Sequence, residues 1–397
     1  MVVAAHTAWV SGGTRPGAWV RPYQARFDAA IVVFFMISGF LLYRPFVRAR
    51  LLDVPPPSLR RYGEGRVLRI VPAFWVALIV VAIWLGGNLW TPQRALINFG
   101  FLQLYGGSGQ LGGAVIPQAW TLGTEVGFYA WLPAWVWLMR RLPARGFSAR
   151  VRLEVVGVSA VVAGSLAYNA VLVYSHAVSN IPYAPTPALA AMPGYMDHIG
   201  LGMLLAVVSV WTEARQRDAL PQPLGFLARF PSVCWLIAAT AFWVGATRIG
   251  LTGSLSQLYT PTQYMARHLL NSVIAVAVVI PAVFGDPRHG LTRRILGNRA
   301  LVYLGLVSYS FYLYHFAVIQ QLLGWHLAGL HVLPLYARWF LATSIGALIL
   351  GTLSYILVER PALSLKARGR ARRGGRRIGE VLAEPGAVPA GPPPPAR

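Results

Sequence analysis

The sequence predicts an all-α polytopic membrane protein, a bundle of about ten transmembrane helices whose first helix is apparently truncated at its N-terminus. The chain has 397 residues, of which 56% are hydrophobic and only 12% charged. This composition is typical of multi-pass membrane proteins and argues against a soluble globule. Apolar runs near the 20 residues that cross hydrocarbon recur along the chain. They predict nine full spans, at about 28–43, 67–87, 119–139, 153–175, 190–211, 231–249, 266–284, 300–323 and 335–358.

The arginines set the predicted orientation. The formal net charge is +23. The arginines are concentrated on alternate connections between the predicted spans and in the C-terminal tail. The connection over 176–190 carries no Arg or Lys. Because positive charge is retained inside, we expect these connections and the C-terminus to be cytoplasmic. Lys366 is the only lysine, and this bias toward arginine suggests a GC-rich bacterial genome, so we expect the protein in a bacterial plasma membrane. The same distribution favours anionic lipid as the partner of the basic loops and argues against nucleic acid.

The two ends of the chain differ from the rest. Residues 1–10 look like the outer half of a membrane helix, so we expect roughly ten more apolar residues upstream. A membrane domain is predicted over 1–359. The stretch from Glu359 to Pro361 predicts a helix stop, and 360–397 is predicted to be a basic, Pro- and Gly-rich, disordered cytoplasmic tail.

Glu125 is the only carboxylate between Ala119 and Met139. A charged side chain among hydrocarbon costs about 2.5–3.5 kcal/mol on insertion scales, so such residues usually face a polar cavity or a functional site. The alternative is a structural acid paired with an arginine or a tyrosine of a neighbouring helix.

His6 is a second candidate for chemistry. The orientation argument places it near the outer end of the first helix, at a depth similar to that of Glu125. An imidazole beside an acid is a plausible general base. The alternative for His6 is a helix-end histidine that bonds a backbone carbonyl.

Arg66 and Arg69 lie three residues apart at the predicted cytoplasmic start of the 67–87 span, so they share a helix face. The planar guanidinium suits phosphate, and the position suits an anionic co-substrate that arrives from the cytoplasm. Ordinary arginines of the positive-inside kind would look the same.

Two further groups of residues have more than one interpretation. Ser38 and Gly39 favour close helix packing and also put a hydroxyl in the membrane. Tyr309, Tyr312 and His315 form a polar patch at helical spacing, and His315 could line a cavity or bond a neighbouring helix.

Gly-x-Ser-x-Gly, His-Glu-x-x-His and Walker patterns are missing, and Cys234 is the only cysteine. We therefore expect no metal and no permanently bound cofactor.

Several motifs resemble the bacterial acyltransferase 3 family of integral-membrane O-acyltransferases. The run from Phe34 to Phe46 is similar to the signature after the family's first loop. The others are the Arg-x-x-Arg pair at Arg66 and Arg69, the Trp-Thr-Leu-x-x-Glu-x-x-Phe-Tyr motif over 120–129, the Ser-Tyr-x-x-Tyr-Leu-x-His motif over 308–315, and the helix end at His6. The resemblance covers the chain from His6 to about Glu359. The family's opening Arg/Asp-Gly-Leu-Arg-type stretch has no counterpart here.

The resemblance implies transfer of an acyl group, most simply acetyl, from acyl-CoA to a hydroxyl of a carbohydrate, glycolipid or secondary-metabolite acceptor. His6 would be the base and Glu125 would orient it or position the acceptor. Arg66 and Arg69 would bind the donor. The substrate cavity would be lined by Ser38, Tyr129, Tyr309, Tyr312 and His315. A different class of function, a proton-coupled transporter or exporter that uses the same Glu and His as a relay, stays an alternative, as does a family member that has lost its activity.

Overall fold

The computed structural model describes residues 1–11, 20–87, 89, 91–105, 114–175, 181, 186–215, 220–251, 257–285, 294, 297–325 and 334–365. This part of the chain is almost entirely helical. Its one extended feature is an isolated antiparallel bridge between Ile181 and Tyr259. The predicted all-α class is therefore confirmed.

The described residues form fourteen α-helices. They are α1 Val2–Val10, α2 Arg21–Gln24, α3 Ala29–Leu51, α4 Leu59–Leu85, α5 Pro92–Phe99, α6 Trp120–Arg141, α7 Phe147–Tyr174, α8 Pro187–Ala190, α9 Met192–Ala214, α10 Gln222–Arg229, α11 Pro231–Thr247, α12 Pro261–Phe284, α13 Arg299–Gly324 and α14 Leu335–Ser354. A 3-10 turn over Pro117–Ala119 leads into α6.

Each of the nine predicted spans falls on one of these helices. Among the described residues, seven helices are long and apolar enough to cross a membrane, and α10 with α11, bent by 95°, makes an eighth if the pair is one span. α6 is outside this count because Glu125 and four tryptophans lower its hydropathy. α1 is nine residues long, which corresponds to about 14 Å.

α3 and α9 cross closely at the centre of the bundle. An added Cβ would lie 2.1 Å from the Ile199 carbonyl oxygen at Gly39 and 1.9 Å from the Met36 carbonyl oxygen at Gly202. Only glycine allows two backbones to approach in this way. The packing role expected for Gly39 is confirmed, and the crossing fixes the neighbouring Ser38 next to α6.

The cytoplasmic boundaries predicted for two spans were wrong. α3 continues to Leu51 and α4 begins at Leu59, both well beyond the apolar runs. Arginine is a good helix former, and its long stem lets the charge reach polar surroundings while the helix continues. As a result, Arg66 and Arg69 lie about two and three turns inside α4, respectively, and not at its start.

The helix stop predicted at Glu359–Pro361 was also wrong. α14 passes into a π-helical turn over Tyr355–Glu359, and the helix then continues to Leu365. In a regular α-helix the ring of Pro361 would clash with the carbonyl four residues earlier, and the wider turn relieves this conflict. Glu359 is buried and accepts a hydrogen bond from Ser310 of α13. The predicted tail beyond 365 lies outside the described residues.

Candidate active site

Glu125 is buried inside the bundle, with 3% of its surface exposed. Its carboxylate accepts hydrogen bonds from the Ser38 hydroxyl of α3, at 2.9 Å, and from the Tyr129 hydroxyl one turn along α6. The structure therefore brings together three residues that the sequence singled out. Two hydroxyl donors satisfy a buried carboxylate without neutralising its charge.

Two arginines of α4 provide the opposite charge. Arg66 and Arg69 both lie close enough to Glu125 to interact with it electrostatically, and the guanidinium carbon of Arg66 is 5.7 Å from the centre of the Tyr129 ring. Arg66 is half-buried and Arg69 is exposed. We call Ser38, Arg66, Arg69, Glu125 and Tyr129 the glutamate cluster. An exposed arginine within a membrane span needs a polar environment or a ligand.

His6 is bound to His315. The distance from His6 Nδ1 to His315 Nε2 is 2.8 Å, and His315 Nδ1 lies 2.6 Å from the Tyr312 carbonyl oxygen. A carbonyl only accepts, so His315 Nδ1 carries the proton, and Nε2 of the neutral ring is an acceptor. His6 Nδ1 must then donate to it. The lone pair of neutral His6 is left on Nε2, where it can take a proton from a substrate.

The expected direct pairing of His6 with Glu125 is not found, since no hydrogen bond joins these two residues in the described part of the chain. The hydrogen-bond partner of His6 is His315 instead. The two regions are nevertheless linked, because the Tyr312 hydroxyl, one turn from His315, lies 3.0 Å from Thr121 Oγ1, one turn from Glu125.

Tyr309, the other tyrosine of the polar patch on α13, contacts a different helix. The Tyr309 hydroxyl donates to the Ile70 carbonyl of α4 at 3.0 Å, and Tyr309 lies within electrostatic range of Glu125. The tyrosines and His315 thus line one face of α13, which runs from the glutamate cluster to His6. Of the two alternatives for His315, the structure shows a bond to a neighbouring helix.

A cavity of about 120 Å³ opens beside His6. It lies at the ends of α3, α6, α9 and α12 that the arginine pattern predicts to be external. Polar and aromatic side chains make up much of its wall, and we call it the His6 cavity. Its lining comprises Val2, Ala5, His6, Asp28, Ile31, Val32, Trp120, Tyr195, Tyr264, Arg267, His268 and Asn271. The arrangement suits a polar group that approaches His6 from the outer half of the bundle.

A second buried carboxylate stands behind this cavity. Asp197 of α9 is 1% exposed; its Oδ2 lies 2.7 Å from His268 Nε2 of α12, and its Oδ1 accepts a hydrogen bond from Ser165 of α7 at 3.1 Å. His198 Nδ1 is also 3.1 Å from Oδ1. We call Ser165, Asp197, His198 and His268 the aspartate cluster.

The aspartate cluster is the place in the described chain where a metal could be held, because ligand atoms of Asp197, His198 and His268 lie within 4.8 Å of one another. The geometry does not fit a zinc ion. Tetrahedral ligands at about 2.0–2.1 Å from zinc are separated by roughly 3.3 Å, whereas the Asp197 oxygen and the His268 nitrogen are 2.7 Å apart. This separation is that of a hydrogen bond.

Sequence reasoning missed Asp197 and His268, and with them the ion pair between Asp28 and Arg267 on the cavity wall. The signal was present. Asp197 and Arg267 are ionisable residues within predicted spans, and the argument applied to Glu125 covers them equally.

Comparison with known proteins agrees with this architecture. The model of the acyltransferase 3 family, described as an acyltransferase domain, matches residues 1–359. The acyltransferase MdmB of Streptomyces mycarofaciens is 27% identical over 368 residues, which cover 86% of this chain and 82% of that protein. Nodulation protein 10 of Rhizobium leguminosarum bv. viciae is 24% identical over 386 residues, or 90% of this chain and 88% of the relative.

A provisionally named O-acetyltransferase of Staphylococcus aureus (strain COL) is 23% identical over 350 residues, 83% of this chain, but the match spans only 51% of that longer protein. No solved structure matches the chain at a significant level. The family model covers the chain from α1 to the π-helical turn at Tyr355–Glu359, including all the motif residues of the site. The chain is therefore a multi-pass membrane acyltransferase that belongs to the acyltransferase 3 family.

Proposed function

We propose that this protein transfers an acyl group, most simply acetyl, from acyl-CoA to a hydroxyl of a carbohydrate, glycolipid or secondary metabolite. The observation that carries the proposal is the tautomer of His6: a chain from the Tyr312 carbonyl through His315 leaves Nε2 of neutral His6 free to accept a proton. Family membership favours transfer over the transporter alternative.

The reaction requires one proton acceptor and no enzyme nucleophile. His6 Nε2 takes the proton of the acceptor hydroxyl while its oxygen attacks the thioester carbonyl. The new C–O bond forms and the C–S bond breaks. The CoA thiolate leaves, and the proton on His6 returns to it or to water. His315 holds His6 in the correct tautomer throughout.

The glutamate cluster is assigned to the donor. Arg69 is exposed and stands beside Arg66, so the pair can meet the phosphates of acyl-CoA. Glu125 compensates the two arginines when the donor is absent and, with Ser38 and Tyr129, keeps them in place. Tyr309 and Tyr312 connect this region to His6.

The arginine pattern supports an orientation in a bacterial plasma membrane with the C-terminus in the cytoplasm. Acyl-CoA would then enter from the inner side, and the acceptor would reach His6 through the His6 cavity. Anionic lipid would contact the basic loops and the tail.

The test uses membranes that contain the full chain, radiolabelled acetyl-CoA and an envelope extract of the expression host. Wild type should move label into an extractable product, and His6→Ala should lower the rate by about 10²–10⁴-fold. Thr7→Ala is the matched control on α1, because its hydroxyl bonds the Val3 carbonyl of the same helix. If correctly inserted wild type transfers no label in a His6-dependent way, the proposal fails.

A further inference from the structure

Two imidazoles face the His6 cavity, and each is held in one tautomer. His6 donates through Nδ1 to His315. His268 approaches Asp197 Oδ2 with Nε2 at 2.7 Å, and because a carboxylate only accepts, Nε2 carries the proton. The lone pair of neutral His268 is therefore on Nδ1, and no hydrogen bond among the described residues occupies that atom.

The partner of His268 is itself firmly held. Asp197 is 1% exposed and receives the Ser165 hydroxyl at 3.1 Å as well as His268. The Tyr264 ring stacks on His268 at 5.9 Å between centres, which fixes the plane of the imidazole. A carboxylate, a histidine and a stacked ring are a costly arrangement for a merely structural contact in a membrane helix.

Transfer of one acyl group releases one proton, and His6 is sufficient to accept it. A second imidazole lines the same cavity, and its Nδ1 has no hydrogen-bond partner among the described residues, so it is available to another donor group. We propose that His268 is a positioning residue whose Nδ1 accepts a hydrogen bond from a second hydroxyl of the acceptor. The inference rests on the proposed acyl transfer.

This assignment narrows the class of acceptor. A substrate with a single hydroxyl would satisfy His6 alone and would leave His268 without a partner. An acceptor with two nearby hydroxyls, as in a diol or a sugar ring, satisfies both. Trp120 and Tyr195 on the same wall offer aromatic faces for the apolar side of such a ring.

The main experiment measures label transfer by His268→Gln while the acetyl-CoA and the extract are varied in turn. Glutamine places its amide nitrogen where Nε2 was and can still donate to Asp197, but it places no acceptor where Nδ1 was. Loss of one hydrogen bond to the acceptor should raise the half-saturating amount of extract by about tenfold. The half-saturating acetyl-CoA concentration should not change. Equal effects on both substrates, or on neither, would overturn the inference.

Ser272→Ala is the matched control. Ser272 lies one turn from His268 on α12 and donates to the His268 backbone carbonyl at 3.3 Å, but it does not line the His6 cavity. It should keep the wild-type dependence on extract. Asp197→Asn should act like His268→Gln, because an amide at this position can donate to Nε2 and move the histidine proton to Nδ1.

Two further measurements do not depend on transfer. 15N NMR of histidine-labelled protein in lipid nanodiscs should show His268 protonated on Nε2, with the signal assigned by its loss in His268→Gln. Protonation on Nδ1 would overturn the inference even if acyl transfer were established. One zinc ion per purified chain that disappears in His268→Gln would overturn it as well.

Finally, the labelled product can be deacylated and its acceptor identified by mass spectrometry. An acceptor with two or more hydroxyls is expected, and an acceptor with one hydroxyl would refute the assignment. Absence of label transfer by wild type would instead remove the proposed function, and the NMR result would still decide the tautomer of His268.

Discussion

The glutamate cluster and the aspartate cluster each bury one carboxylate, but they hold it in different ways. Glu125 receives two hydroxyls and stands beside two arginines, one of them exposed. Asp197 receives a hydroxyl and stands between two imidazoles. The first arrangement sets a buried carboxyl group beside two fixed positive charges. The second one orients a neutral base.

This difference separates two tasks within one bundle. Guanidinium groups bind anions and stay charged, whereas an imidazole can exchange a proton or accept a hydroxyl. The glutamate cluster is therefore suited to a phosphate-bearing donor and the aspartate cluster to a neutral acceptor. His6 lies between them and is held by neither carboxylate, since its partner is His315.

The largest effect is expected for Glu125→Gln. The amide keeps the shape of the side chain but leaves the charges of Arg66 and Arg69 uncompensated. Glutamine also places a buried amide donor where the carboxylate accepted two hydroxyls, and an unsatisfied buried donor costs about 1–3 kcal/mol of stability. Transfer of label should therefore be lost and the thermal midpoint in detergent should fall. Membrane insertion should persist, as measured by the amount of protein in washed membranes.

Glu213→Gln is the control for this change. Glu213 also faces two arginines, Arg44 and Arg48, each at 2.8 Å, but it is one-third exposed. Its loss should change stability by only about 0–1 kcal/mol. Similar effects of the two substitutions would show that the burial of Glu125 has no special consequence.

The next effect concerns the partner of His6. His315→Leu removes the group that fixes the tautomer, and the rate of transfer should fall by about 10²-fold or more. His315→Gln should retain much more activity, because the glutamine amide stands where Nε2 was and its oxygen can accept from His6. The measurement is the rate at saturating substrates. Equal losses in both variants would contradict the tautomer chain.

Arg69→Ala should have a smaller effect, and one confined to the donor. Loss of a charge-assisted hydrogen bond is worth about 1.5–3 kcal/mol, so the KM for acetyl-CoA should rise by roughly 10–100-fold. The dependence on acceptor extract should stay unchanged. If the acceptor dependence changes and the donor dependence does not, the donor role of the glutamate cluster is wrong.

The smallest effect on chemistry is expected at the α3–α9 crossing, which supports both clusters. Gly202→Ala places a Cβ against the Met36 carbonyl and should lower stability by about 1–3 kcal/mol, with donor and acceptor KM unchanged in the folded fraction. Gly164→Ala on α7 meets no atom within 4 Å and should be neutral or stabilising by up to about 1 kcal/mol. Thermal unfolding of the two variants tests the difference.

The sequence predicted the glutamate cluster far better than the aspartate cluster. Apolar periodicity located the helices, and Glu125, Arg66 and Arg69 stood out through their type and their family motifs. The contact between Asp197 and His268 depends on how α7, α9 and α12 pack, and no spacing along the chain encodes it. His315 was a candidate, but its position beside His6 follows from the crossing of α1 and α13 and could not be read from either helix alone.

The π-helical turn before Arg360 has a consequence for length variation in this helix. Such a turn contains one residue more than a regular α-helical turn, and each residue rotates an α-helix by about 100°. Deleting a single residue of the π-helical turn, such as Ile356, should restore regular winding and turn Glu359 away from Ser310, or force the register of α14 to slip. An insertion or deletion here would therefore rotate all later residues of this helix about its axis. The contact between Glu359 and Ser310 thus requires this exact number of residues in the turn.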